Sequence, residues 1–117
     1  MRIFYIRQMT SLTISAPADD IQDLAASAHS AARLLKLLAS EQRLLLLCRL
    51  ADGEASVGEL SDHAGLAQSA TSQHLAKMRA EGLVSTRRVA QTIYYSLSDP
   101  NAARVLGTLS DIYRTAG

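Results

Sequence analysis

The residues of this sequence with the chemistry for recognition lie in one short stretch, 68–84, QSATSQHLAKMRAEGLV. Read as a helix at ~100° per residue, it puts Ser69, Ser72, Gln73, Ala76 and Ala80 on one side. Ala67, Thr71, His74, Leu75 and Met78 fall opposite, facing inward. A glutamine amide holds a donor and an acceptor in one plane, which pairs bidentately with an adenine edge, and a serine hydroxyl serves either kind of edge. Short neutral groups on a face without carboxylates suit a helix that enters the major groove of a duplex. Gln68 and Ser69 stand at the helix start, the part that reaches base edges, and the free amides there favour phosphate. The plain alternative is a solvated helix with ordinary small polar residues, and this segment alone leaves both open.

Other elements must hold such a helix in place. Residues 20–38 set Ile21, Leu24, Ala25, Ala28, Ala32, Leu35 and Leu38 at helical spacing, with Asp19 and Asp20 at the positive end. Ser40 caps a second predicted helix, with Glu41 in its first turn and Gly53 near its exit. On that helix Leu44, Leu47, Cys48 and Ala51 share one face. Ser56-Val57-Gly58-Glu59 has capping-box spacing and opens a short helix ending near His63–Gly65. Gly65 permits a tight turn, and two short helices joined through a Gly-containing turn are the layout of a helix-turn-helix. The quoted helix follows from about Ala67 to Glu81, closed by Gly82. Ala67 occupies a cap position where Ser or Thr would be better by ~1 kcal/mol. Residues 83–88 and 93–97 read as two strands around a Val89–Thr92 tip that lacks the expected Gly. Asp99-Pro100 starts a last helix with Ala102, Val105, Leu106, Leu109, Ile112 and Tyr113 as its apolar stripe. The predicted order is α-α-α-α-β-β-α, mainly α with a β-hairpin: a flexible arm over 1–18, then one domain over 19–117.

Composition bounds the function. The 117 residues are 48% hydrophobic, enough for one modest core, so joining a second copy is a ready source of stability. Net charge is +1, and no global field announces a polyanion partner. Locally, Ala67–Leu97 carries Lys77, Arg79, Arg87 and Arg88 against Glu81 alone. The single cysteine, Cys48, excludes an intrachain disulfide and a Cys-rich metal knuckle. His29, His63 and His74 are too dispersed for a zinc site, so no metal and no cofactor is expected; His74 is expected to support the helix-turn-helix packing. No Ser/His/Asp order, paired acids or Gly-rich phosphate loop is present, so no catalytic residue is assigned and an enzyme is not expected. The opening MRIFYIRQMTSLTISAPADD is too short and interrupted for a secretory signal or a membrane span, which makes a cytoplasmic chain, starting at Met1 or Met9, the expectation.

The capped helix, the glycine turn, the acid-free helix and the basic hairpin are each weak signals, and their order is the specific one. It points to double-stranded DNA, with Gln68, Ser69, Ser72 and Gln73 on bases and Arg87 and Arg88 on flanking phosphates or in the minor groove. Lys77, Gln91 and Thr92 belong to the same expected surface.

Residues 37–97, LLASEQRLLLLCRLADGEASVGELSDHAGLAQSATSQHLAKMRAEGLVSTRRVAQTIYYSL, resemble the ArsR/SmtB family of small winged-helix repressors. Ala39–Leu47 matches the family's entry helix and Gln68–Leu75 its recognition helix. Gly82-Leu83-Val84 leads to Ile93–Leu97 as in the family's wing. The resemblance implies a winged helix-turn-helix, a homodimer through the first and last helices, an inverted-repeat operator, and release when an effector binds. Leu24, Ala28, Leu35, Leu106, Leu109, Ile112 and Tyr113 would then form the dimer interface. The family's metal sites do not carry over: SVGELSD holds no thiol and VLGTLSDIYRTAG no histidine. The chain looks most like the sulfide- and persulfide-responsive branch, where a thiol on the second helix pairs with one near the end of the last. Cys48 matches the first thiol, but Arg114 stands where the second is expected. Cys48 is expected to be a buried small apolar residue. The other reading is a reactive redox thiol with the Arg114 cation favouring its thiolate, responsive to reactive sulfur or an oxidant. Two rival functions stay open: a winged-helix module that binds protein and never DNA, and a metal-responsive repressor.

Overall fold

A computed structural model describes residues 18–114, with side chains from Asp20 on. The predicted arm (except Ala18), the choice between Met1 and Met9, and the side chain of Asp19 lie outside the described residues. The chain divides into two compact units, Met1–Leu35 and Lys36–Gly117.

The first unit contains α1 (Ala18–Ala26) and most of α2 (Ala28–Leu38). A single helix over 20–38 was expected, and the helix is instead interrupted at Ser27. The interruption is slight: Ser27 N donates to the carbonyls of both Asp23 and Leu24, at 3.2 and 3.0 Å, and Ala31 N returns to Ser27 O at 2.9 Å. Ile21, Leu24 and Leu35 stay more than half exposed, so this apolar stripe is not consumed within the chain.

The second unit begins where Leu37 and Leu38 enter its core. Ser40 caps α3 (Glu41–Ala51), its hydroxyl accepting from Arg43 N at 3.3 Å. The buried face of α3 is Leu46, Leu47 and Leu50. This corrects the predicted face: Cys48 and Ala51 are exposed and Leu44 is half-buried. Leu44–Leu47 are four leucines in a row, so apolar spacing did not fix which way the helix is rolled.

The helix-turn-helix follows as read. Ser56 and Glu59 close both halves of a capping box at the start of α4 (Val57–Ala64), with Glu59 N to Ser56 Oγ at 3.2 Å and Ser56 N to Glu59 Oε1 at 2.9 Å. The backbone N–H of Ser56, and then its hydroxyl, hold the Glu59 carboxyl below its ordinary range. A depressed carboxyl stabilises the folded chain above that range, and the contribution is lost as pH falls through the lowered value. Gly65 ends the helix with φ +69°, a conformation that penalises any β-carbon. Then comes α5 (Gln68–Ala80), whose N-cap, Ala67, supplies no side-chain hydrogen bond.

Gly82, at φ +82°, turns the chain into β2 (Val84–Val89), which pairs antiparallel with β3 (Thr92–Leu97). The tip is only Ala90-Gln91, since Val89 and Thr92 are still paired. Ala90 takes φ +56°, the position where glycine was missed in the sequence. A third strand was not anticipated. Ala55–Ser56, named β1, pairs with Tyr95 and Tyr94, giving the order β1-β3-β2. Two residues are too few to show an alternating pattern. Asp99 caps α6 (Pro100–Tyr113) by accepting from Asn101 N at 2.8 Å and Ala102 N at 3.4 Å. Leu106 of α6 belongs to the protomer's own core and Leu109 is half-buried, while Ile112 and Tyr113 are exposed.

Candidate nucleic-acid interface

Thr71, Leu75 and Met78 of α5 are fully buried, and His74 is half-buried beside them. Ala67, expected inward, is exposed because it is the cap outside the helix. Thr71 does more than fill space. Its hydroxyl donates to Ala67 O and accepts from the buried hydroxyl of Ser61 on α4, each at 3.0 Å. A satisfied buried pair of this kind fixes the two helices in one register. No local pattern signals this pair, because Ser61 and Thr71 are ten residues apart and each is ordinary alone.

Because that face is committed to the core, the other must face outward. Gln68, Ser69, Ser72, Gln73 and Lys77 are all exposed, and so is Ala76 between them. The helix contains no acidic residue. Gln68 lies over the start of α4: a β-carbon at Gly58 would stand 3.7 Å from its amide nitrogen. At the hairpin end Arg87, Arg88, Gln91 and Thr92 are exposed too. Every predicted DNA-facing side chain is therefore solvent-accessible, on α5 or the hairpin.

The two hairpin arginines are not equivalent. Strand side chains alternate between faces. Val84, Thr86 and Arg88 pair with Leu97, Tyr95 and Ile93 on the face that begins in the core. Ser85, Arg87 and Val89 pair with Ser96, Tyr94 and Thr92 on the outer face. There Arg87 forms a two-pronged ion pair with Glu54, Nε to Oε2 at 3.2 Å and Nη2 to Oε1, and its guanidinium carbon sits 5.6 Å from the centre of the Tyr94 ring. The hydrogen bonds from Arg87 hold the Glu54 carboxyl below its usual range, and the same pair raises the guanidinium. Arg88 has no ion-pair partner among the described residues. Glu54 was missed in the sequence because it precedes β1 and belongs to no periodic pattern.

Cys48 is on the surface, which overturns the expectation of burial. Its side of α3 turns toward α6, and it lines two cavities of about 400 Å³ each. One is mostly apolar, walled by Leu44, Leu106, Leu109 and Tyr113; the other includes Asp52 and Gly107. Arg114 ion-pairs with Asp111 of its own helix at 2.6 Å. Among the described residues no three His, Cys, Asp or Glu side chains converge as a metal site would require, and no helix is long and apolar enough to cross a membrane.

Comparison with known proteins agrees with this geometry. Residues 40–86 match the model of the bacterial regulatory protein, arsR family. The chain is 55% identical over 86 residues to the nodulation protein NolR of Rhizobium meliloti, covering 74% of this chain and 70% of that one. It is 46% identical over 94 residues to the transcriptional activator HlyU of Vibrio cholerae, covering 80% and 87%. The crystal structure of the transcriptional repressor BigR from Xylella fastidiosa superposes with a TM-score of 0.75 at 40% identity, over 79% of this chain and 94% of that one. By their names HlyU is an activator and BigR a repressor of transcription. With a winged helix-turn-helix built in the same order and relatives this similar along most of its length, the chain belongs to the ArsR family of DNA-binding transcriptional regulators.

Proposed function

We propose that this protein is a dimeric repressor that reads an inverted-repeat operator and acts in the cytoplasm, where that DNA lies. One observation carries the reading. The outward face of α5 is acid-free and presents Gln68, Ser69, Ser72, Gln73 and Lys77, while its opposite face is locked into the core. Base contacts fall to the glutamines and serines, and phosphate contacts to Lys77, Arg88, Gln91 and Thr92. Exposed apolar side chains on the first helices (Leu24, Leu35) and on the last (Ile112, Tyr113) offer surface that a second copy would cover, with Ala28 and Leu109 beside them.

Arg88→Ala tests the wing. It is expected to weaken binding to duplexes of every sequence by roughly tenfold at low salt and to flatten the salt dependence by about 0.9 per wing. Unchanged affinity and slope would remove the hairpin from the interface. A wild-type chain that retards no duplex at any concentration would support a protein-binding module instead.

The exposure of Cys48 beside α6 favours it as the place where an effector acts. Peroxide would convert the thiol to a sulfenic acid and leave water, placing a polar oxygen against apolar Leu106 and Leu109. Treatment with peroxide, or with a polysulfide that transfers one sulfane sulfur to the thiolate and leaves as the shorter polysulfide, is expected to change DNA affinity several-fold in the wild type and not in Cys48→Ser. Full modification of the thiol, seen by mass, with affinity unaltered would end the sensor role.

A further inference from the structure

Glu54 enters neither the fold nor the reading of DNA as described so far, yet it engages one of only two cations on the wing. Ser56 pairs with Tyr94, as does Arg87 from the other side of β3. Glu54, two residues before Ser56, reaches the same outer face, and the carboxylate and the guanidinium meet beside the Tyr94 ring. Two nitrogens of Arg87 are taken by the carboxylate, so the side chain is both neutralised and oriented. The stretch Ala67–Leu97, with four cations and one acid, is positive by three; with Glu54 on Arg87 it presents only two.

The pair is not a stability device. Its side chains are 58% and 37% exposed, and ion pairs this open to water add little to stability. Its larger consequence is for the field that a duplex meets. Binding that ignores sequence comes from cations exchanging for counterions at phosphates, so a cation held by a carboxylate is one fewer to exchange.

We infer that Glu54 is a positioning residue that limits sequence-independent DNA binding, by holding Arg87 neutralised against Tyr94 and away from phosphate. The inference rests on the DNA-binding reading above. Arg88, on the opposite face of the hairpin, is then the wing's working cation, and Arg87 is held in reserve.

The test uses the full chain as wild type, Glu54→Gln, and Glu54→Gln with Arg87→Gln, each titrated with random-sequence duplex over a range of salt. Glu54→Gln is expected to bind roughly tenfold tighter at low salt, with a slope steeper by about 0.9 per wing. The double variant exchanges a neutral pair for a neutral pair and is expected to match the wild type in affinity and slope. A merely structural Glu54 would not steepen the slope. Glu54→Gln no tighter than wild type overturns the inference. So does a double variant that binds more weakly with a flatter slope, because Arg87 would then contact phosphate with Glu54 in place. A wild type that retards no duplex brings down the DNA reading itself, a result distinct from a wild type that binds and a Glu54→Gln variant that equals it.

Discussion

Truncating Leu75 to alanine is expected to lower the free energy of unfolding by roughly 2–5 kcal/mol, a large part of what a domain of this size possesses. Leu75 is completely buried at the middle of α5, with Thr71 one turn before it and Met78 after it. Removing its branched end leaves a cavity under the recognition helix that the close-packed surroundings fill only in part. Ser72→Ala, on the exposed side, is expected to stay within about 0.5 kcal/mol of wild type. Urea unfolding of the two variants side by side checks the assignment of faces, on which the DNA surface depends. Equal costs would mean that α5 is rolled differently from the geometry described.

Replacing Gln73 by alanine is expected to leave folding intact and to erase discrimination at one position of each half-site. A bidentate amide–adenine pair is worth ~1–3 kcal/mol against the wrong base, so preference there falls by roughly 5- to 150-fold. The side chain is neutral, so binding to random duplex and its salt dependence stay as in the wild type. That separates Gln73 from Arg88, whose loss acts on all duplexes alike. Competition between duplexes differing at single positions measures it. Retained preference at every position would assign readout to DNA shape or to the wing instead.

Much of this was legible in the residues themselves because the signals were local. The Ser56–Glu59 box, the Gly65 turn, the Asp99-Pro100 start and the boundaries of α5 each depend on neighbours within four positions, and each stands where it was read. The outward placement of Gln68, Ser69, Ser72 and Gln73 followed from helical geometry once Leu75 and Met78 were assigned to the core. What escaped depends on partners far along the chain. Strand β1 exists because Ala55 and Ser56 meet Tyr95 and Tyr94, about forty residues on. Arg87 was expected to face phosphate, but its carboxylate partner lies 33 positions earlier. Cys48 was expected inside because four adjacent leucines leave the roll of α3 undetermined by pattern; packing against α4 and β3 settles it. The alternative reading of Cys48 as a reactive thiol leaned on the Arg114 cation, and Arg114 ion-pairs with Asp111, an acid three residues back.

In the proposed dimer, two copies of α5 enter successive major grooves of one duplex. Selection of bound sequences from a random pool by the wild-type protein tests it most directly. The expected result is an inverted repeat whose half-site centres lie one helical turn (about 10–10.5 base pairs) or a multiple of it apart. A folded protein that enriches no sequence, or only single sites without twofold symmetry, would contradict it.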